Sequence, residues 1–84
     1  MRNGDRQELM STAIRKYSLT INRHRTSISL EKIFYEALGE VAEEQGKTLP
    51  ELIGEIDARP RDGGLSSALR VYLLEHFRRK AGCM

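Results

Sequence analysis

The six residues Arg25-Thr26-Ser27-Ile28-Ser29-Leu30 alternate polar and apolar with the period of a strand, and the run from Glu31 to Gln45 then switches to helical spacing without a break. Successive strand side chains point to opposite faces, so Thr26, Ile28 and Leu30 face a core while Arg25, Ser27 and Ser29 share the other side. That outer side is short, polar and cationic. A single strand of this kind needs partners along both edges, and the simplest second strand is the same segment from a twin. A homodimer is therefore the first expectation for the chain.

The 84 residues make one small domain, of a size whose single core is marginal without metal, disulfides or self-association. Cys83 is the sole cysteine and has no internal partner, and Cys83, His24 and His76 are too far apart in sequence for a zinc-ligand spacing. No metal and no cofactor is expected. The polar, charged start and the lack of a long apolar run predict neither a signal peptide nor a membrane span, and Arg2 after Met1 excludes N-myristoylation. The expected location is cytoplasmic.

The net charge of +2 conceals a segregation. Residues 1–30 carry six Lys/Arg against two acids, residues 31–58 two against eight, and residues 59–84 six against two. Two basic segments flanking an acidic middle can present a cationic surface to phosphates. Acidic helix faces that simply meet water would produce the same division, so composition leaves both readings open.

Along the chain, residues 1–16 read as a flexible or partly helical arm, with Leu9, Met10, Ala13 and Ile14 at helical spacing near Gln7 to Ile14. Its Arg2, Arg6, Arg15 and Lys16 could reach a nucleic-acid backbone, but disordered basic termini are common enough that no contact is assumed. Residues 17–58 form the core unit. Tyr17 to Ile21 alternates and is rich in strand formers. A two-residue turn at Asn22-Arg23 pairs Leu19 with Thr26 and Tyr17 with Ile28; one at Arg23-His24 pairs Leu19 with Ile28. Both keep the apolar side chains together, and one long strand from Tyr17 to Leu30 competes with either. Arg23 is a poor residue for the positive φ of a tight hairpin turn.

The first helix carries Leu30, Ile33, Phe34, Ala37, Leu38, Val41 and Ala42 as its apolar stripe, with Ser29 expected to cap its start and Gly46 to end it. Burying the larger of these side chains yields roughly 1.5–3 kcal/mol each, against roughly 1–2 kcal/mol per residue ordered, so this stripe cannot sustain a lone protomer. Thr48-Leu49-Pro50-Glu51 opens a second helix with the pattern of a capping box, and Leu49, Leu52, Ile53 and Ile56 line its inner side to about Ala58. Residues 59–64 are a loop. Residues 65–84 hold a third helix, from about Ser66 to Lys80, and a tail. In that helix Leu65, Ala68, Leu69, Tyr72, Leu73, His76 and Phe77 are expected inward, and Arg70, Arg78, Arg79 and Lys80 outward. The last three sit where a helix dipole favours cations in any case. Tyr17, Tyr35 and Tyr72 are expected at the core or its edge.

Arg25 to Glu31, the stripe of the first helix, and Gly46-Lys47-Thr48-Leu49-Pro50-Glu51-Leu52-Ile53 together resemble the ribbon-helix-helix DNA-binding superfamily of Arc, MetJ and CopG repressors. The resemblance covers about residues 23–57. Tyr17 to Ile21 and Leu65-Ser66-Ser67-Ala68-Leu69-Arg70 resemble the additions of a small bacterial branch of it. The fold class it implies is mainly α with a short β ribbon: a homodimer with intermolecular antiparallel strands, an N-terminal strand and a third C-terminal helix. It further implies double-stranded DNA as partner, with the strands in the major groove and Arg25, Ser27 and Ser29 reading bases. Arginine can bond a guanine edge bidentately and serine hydroxyls can meet any base edge. Phosphate contacts map to Arg23 and to Lys47, Thr48 and Leu49 at the second helix's start, where free amides favour an anion. Glu51 must then fold back into the capping box.

The function so implied is sequence-specific DNA binding as a homodimer, as in a bacterial transcriptional regulator. The alternative is a protein interaction module, adaptor or antitoxin-like, gripping a partner through the C-terminal helix. Catalysis is not expected: no nucleophile lies beside a base, no ligand spacing fits a metal, and no glycine-rich phosphate loop follows a strand.

Overall fold

A computed structural model describes residues 10–82. Two strands, β1 (Ile14–Ile21) and β2 (His24–Glu31), form an antiparallel hairpin, followed by three helices, α1 (Lys32–Glu44), α2 (Leu49–Asp57) and α3 (Leu65–Gly82). The turn is Asn22-Arg23, so Leu19 lies opposite Thr26 and Tyr17 opposite Ile28. That decides between the two registers and excludes the single long strand. Both turn residues have positive φ, 51° at Asn22 and 70° at Arg23, the conformation that lets a two-residue turn match the strand twist. Asparagine tolerates it; arginine gains nothing locally that offsets the steric cost of roughly 1–2 kcal/mol.

β1 starts at Ile14, three residues before the alternation is obvious, because the ladder continues to the Ile14–Glu31 pair. The helical expectation for Gln7 to Ile14 fails where it is described: Met10 to Ala13 carry no helix, and Ile14 is in the strand. Ile14 remains 57% exposed, so its apolar character was no sign of an inward face. The remainder of that segment lies outside the described residues.

On β2, Ile28 and Leu30 are buried and Thr26 half-buried, whereas Arg25, Ser27 and Ser29 are exposed, as the alternation predicts. Ile28 and Leu30 join Ile21 of β1, Leu38, Val41 and Ala42 of α1, Leu52, Ile53 and Ile56 of α2, and Leu69, Tyr72 and Leu73 of α3 in one core. The apolar surface that covers the α1 stripe comes substantially from the chain's own hairpin and third helix. Tyr17 stacks on Tyr35 with ring centroids 3.7 Å apart, closing the edge between β1 and α1. Gly54 of α2 lets the hairpin approach closely, since a Cβ there would lie 3.1 Å from Ile21 Cγ2.

The helix ends follow local chemistry. Gly46, at φ 69°, ends α1, and the N–H groups of Gly46 and Lys47 donate back to the carbonyls of Glu43 and Ala42. Thr48 caps α2: its hydroxyl accepts from the Glu51 amide while the Glu51 carboxylate accepts from the Thr48 amide.

Three side-chain expectations are corrected. Ser29 does not cap α1; the N-cap is Glu31, without a side-chain cap, because the ladder carries β2 two residues past Ser29. Ile33 is 67% exposed, since Phe34, Ala37, Leu38 and Val41 set the inward arc of α1 and Ile33 falls outside it. Phe77 is 38% exposed, because α3 extends past the core, where His76 and Lys80 of its final turns meet Glu44 at the end of α1.

Candidate nucleic-acid interface

The core side of the hairpin is fixed by burial, so the opposite side is fixed as well. Arg25, Ser27 and Ser29 project from it in one row. The row ends at Glu31, whose carboxylate accepts a hydrogen bond from Arg70 Nε at 3.2 Å. The hydrogen bond from its own backbone amide holds the Glu31 carboxyl below the ordinary carboxylate range; partial desolvation opposes this, and Arg70 lowers it further. The acid nearest the row is thus ionised at neutral pH but matched by a cation. Arg70 also lies over the Phe34 ring, 5.7 Å from its centroid.

α3 touches this surface at a second point, through backbone. The amide of Ser29 donates to Ser66 Oγ at 3.2 Å. Because outward and inward amides alternate along an antiparallel strand, Arg25 and Ser27 direct theirs toward the same outer edge of β2, away from β1. No local pattern in the sequence points to this edge bond. Ser66 stands 37 positions from Ser29, and only the packing of α3 beside the strand brings them together.

The residues expected to hold phosphate lie in two places. Arg23 is exposed at the hairpin tip. Lys47, Thr48 and Leu49 are together at the start of α2, but much of their capacity is already used. The Lys47 ammonium donates to Glu55 at 2.6 Å, the Lys47 amide to Ala42, and the Thr48 amide to Glu51. Among the described hydrogen bonds the Leu49 amide has no acceptor, so it is the donor still open to an anion there. Glu51 does fold back into the capping box, yet its charge stays within that first turn.

The remaining basic side chains divide similarly. Lys80 and His76 of α3 meet the carboxylate of Glu44 at the end of α1, at 2.7 and 3.4 Å. The Lys80 hydrogen bond is the largest of the influences holding Glu44 below the usual carboxylate range; desolvation opposes it, and the Lys80 charge and His76 assist. Arg61 is tied to Asp57 in the loop after α2. Among the described residues no group of three or more His, Cys, Asp or Glu is placed to hold a metal ion, and no described helix is long and apolar enough to cross a membrane.

In this chain the second strand of a hairpin runs directly into two helices that a glycine turn and a threonine cap join. A family model described as a ribbon-helix-helix domain matches residues 14–77. The chain belongs to the ribbon-helix-helix family. The match begins at the first residue of β1 and ends within α3, so the ribbon-helix-helix domain here includes the extra strand and most of the third helix. No curated protein and no solved structure matches the chain.

Proposed function

We propose that this ribbon-helix-helix protein binds double-stranded DNA sequence-specifically as a homodimer, with its ribbon facing the major groove, and regulates transcription in a bacterial cytoplasm. The family is one of DNA-binding, regulatory and antitoxin-type proteins, typically non-enzymatic. The observation that carries the proposal is the exposed row of Arg25, Ser27 and Ser29 opposite buried Ile28 and Leu30. Those are base-reading residue types on the element that a β-ribbon reader places in the groove. Arg23 supports it independently. Backbone strain persists where something else compensates it, and an arginine at φ 70° on the hairpin tip is suited to a phosphate beside the groove. The Leu49 amide at the start of α2 is a further phosphate donor, with Lys47 and Thr48 around it.

Two measurements test this reading. Against a duplex selected from a random library, Arg25→Ala should lower discrimination at one base position per half-site by about 1–3 kcal/mol. Equal preference in variant and wild type would remove Arg25 from base reading, and failure of the wild type to prefer any duplex would remove the function. Arg23→Gly should act in opposite directions on two readouts: thermal stability rises by about 1 kcal/mol as the turn relaxes, while affinity for all duplexes falls. Unchanged affinity would leave Arg23 without a phosphate.

A second reading, a protein interaction module, is favoured by one observation. Val71 and Leu74 on α3 are more than half exposed and Phe77 partly so, giving this helix an apolar outer stripe suited to a partner protein. A variant that keeps the fold, binds no duplex and retains a partner through α3 would establish it.

A further inference from the structure

We propose that β1 supplies a second row of contacts, Lys16, Ser18 and Thr20, that grips the DNA backbone along the rim of the major groove while β2 reads its floor. This rests on the DNA-binding homodimer proposed above. The register sets Thr20 opposite Arg25, Ser18 opposite Ser27 and Lys16 opposite Ser29. Directly opposed residues of an antiparallel pair project to the same face, so both rows point the same way, and all six residues are exposed.

Width decides what the second row can touch. Pairing the β2 strands of two chains gives a sheet of four strands, with each β2 about 2.4 Å and each β1 about 7 Å from the two-fold axis at the usual 4.8 Å spacing. The major groove is about 12 Å wide, so its walls begin about 6 Å from that axis. The β2 rows stand over the base edges, and the β1 rows stand over the flanking phosphates. An N-terminal strand that bent away would escape this, but β1 remains paired with β2 without interruption from Ile21–His24 to Ile14–Glu31. The chemistry of the row matches its position. An ammonium and two hydroxyls are side chains that bind phosphate oxygens, and no carboxylate lies among them. Arg15, the other cation of β1, belongs by alternation to the opposite side and is not part of the row.

The test uses the full chain, a duplex selected by the wild type and an unrelated duplex of equal length, with affinity measured over a salt series. Lys16→Ala should weaken both duplexes by the same factor, up to about 60-fold at 0.1 M salt, and lower the logarithmic salt slope by about 1.8, because a dimer loses two ammonium contacts. Ser18→Ala with Thr20→Val should weaken both duplexes equally and leave the slope unchanged, as hydroxyls displace no counterions. A change in base preference with either variant overturns the proposal by placing β1 in the groove itself. Unchanged affinity for both duplexes overturns it by placing β1 clear of the backbone, while Arg25→Ala still reports on DNA reading. A wild type without duplex affinity overturns both this proposal and the function it rests on.

Discussion

Replacing Leu69 with alanine should lower the unfolding free energy by about 2–5 kcal/mol, a large share of the roughly 5–15 kcal/mol that a small domain has in total. Leu69 has no exposed surface, and with Tyr72 and Leu73 it inserts α3 into the same core as Ile28 and Leu30 of the ribbon. The Tyr72 hydroxyl accepts a hydrogen bond from Gln45 Nε2 at 3.0 Å, which fixes α3 against the end of α1. Leu74 provides the control. It lies on the same helix but is 60% exposed, so Leu74→Ala should change stability by less than about 0.5 kcal/mol. Urea melts of both variants at one protein concentration make the comparison, since self-association would otherwise shift the midpoints. Equal losses would mean that α3 rests on the core instead of belonging to it.

Replacing Ser27 with proline should convert the proposed homodimer to monomers while leaving the hairpin intact. The amide of Ser27 points to the outer edge of β2, so proline deletes no bond to β1, and edge positions of this kind are where a strand tolerates it. With the Ser29 amide already donating to Ser66, Arg25 and Ser27 carry the outward amides left for a twin strand. Loss of two symmetry-related Ser27 bonds, each stranding an acceptor at about 1–3 kcal/mol, should weaken the dimer by about 2–6 kcal/mol, roughly 30-fold to 25,000-fold. Sedimentation across a concentration series reads the change directly. A variant that dimerises as tightly as the wild type would place the twin contact elsewhere, with the exposed side of α3 as the next surface to examine.

These two results bear on different parts of the same design. Leu69 tests how one chain closes its core; Ser27 tests what its open edge is for. The third helix takes part in both, through Leu69 inside and Ser66 at the edge. A strand edge covered at Ser29 is also less able to pair out of register, because a twin sliding that way would have to displace the Ser66 bond.

Much of this was legible in single residues. The alternation from Arg25 to Leu30 assigned both faces of β2, and Gly46, Thr48 and Glu51 marked the join between α1 and α2. Such features depend on residues within one turn or one strand repeat of each other, so local sterics and hydrogen bonding settle them. Ile33 and Phe77 misled because each fits a helical stripe whose exact arc is set by what lies opposite, and periodicity alone cannot say where a neighbouring element stops. Lys16 reads as part of a loose arm because its alternation becomes visible only once β1 is paired with β2.

The order of strand and helices, the inner and outer faces of β2, and the Gly46 and Thr48 signals between α1 and α2 follow from the residues alone, as consequences of short-range periodicity and backbone chemistry. The folded chain is needed to show that the strand takes its first partner from its own chain in the Asn22-Arg23 register, and that α3 reaches back 37 positions to cover the edge at Ser29. Both hairpin registers bury the same apolar side chains, so the alternation along the strands does not separate them. The choice falls to the packing of distant residues against one another, and those distances exist only after the chain has folded.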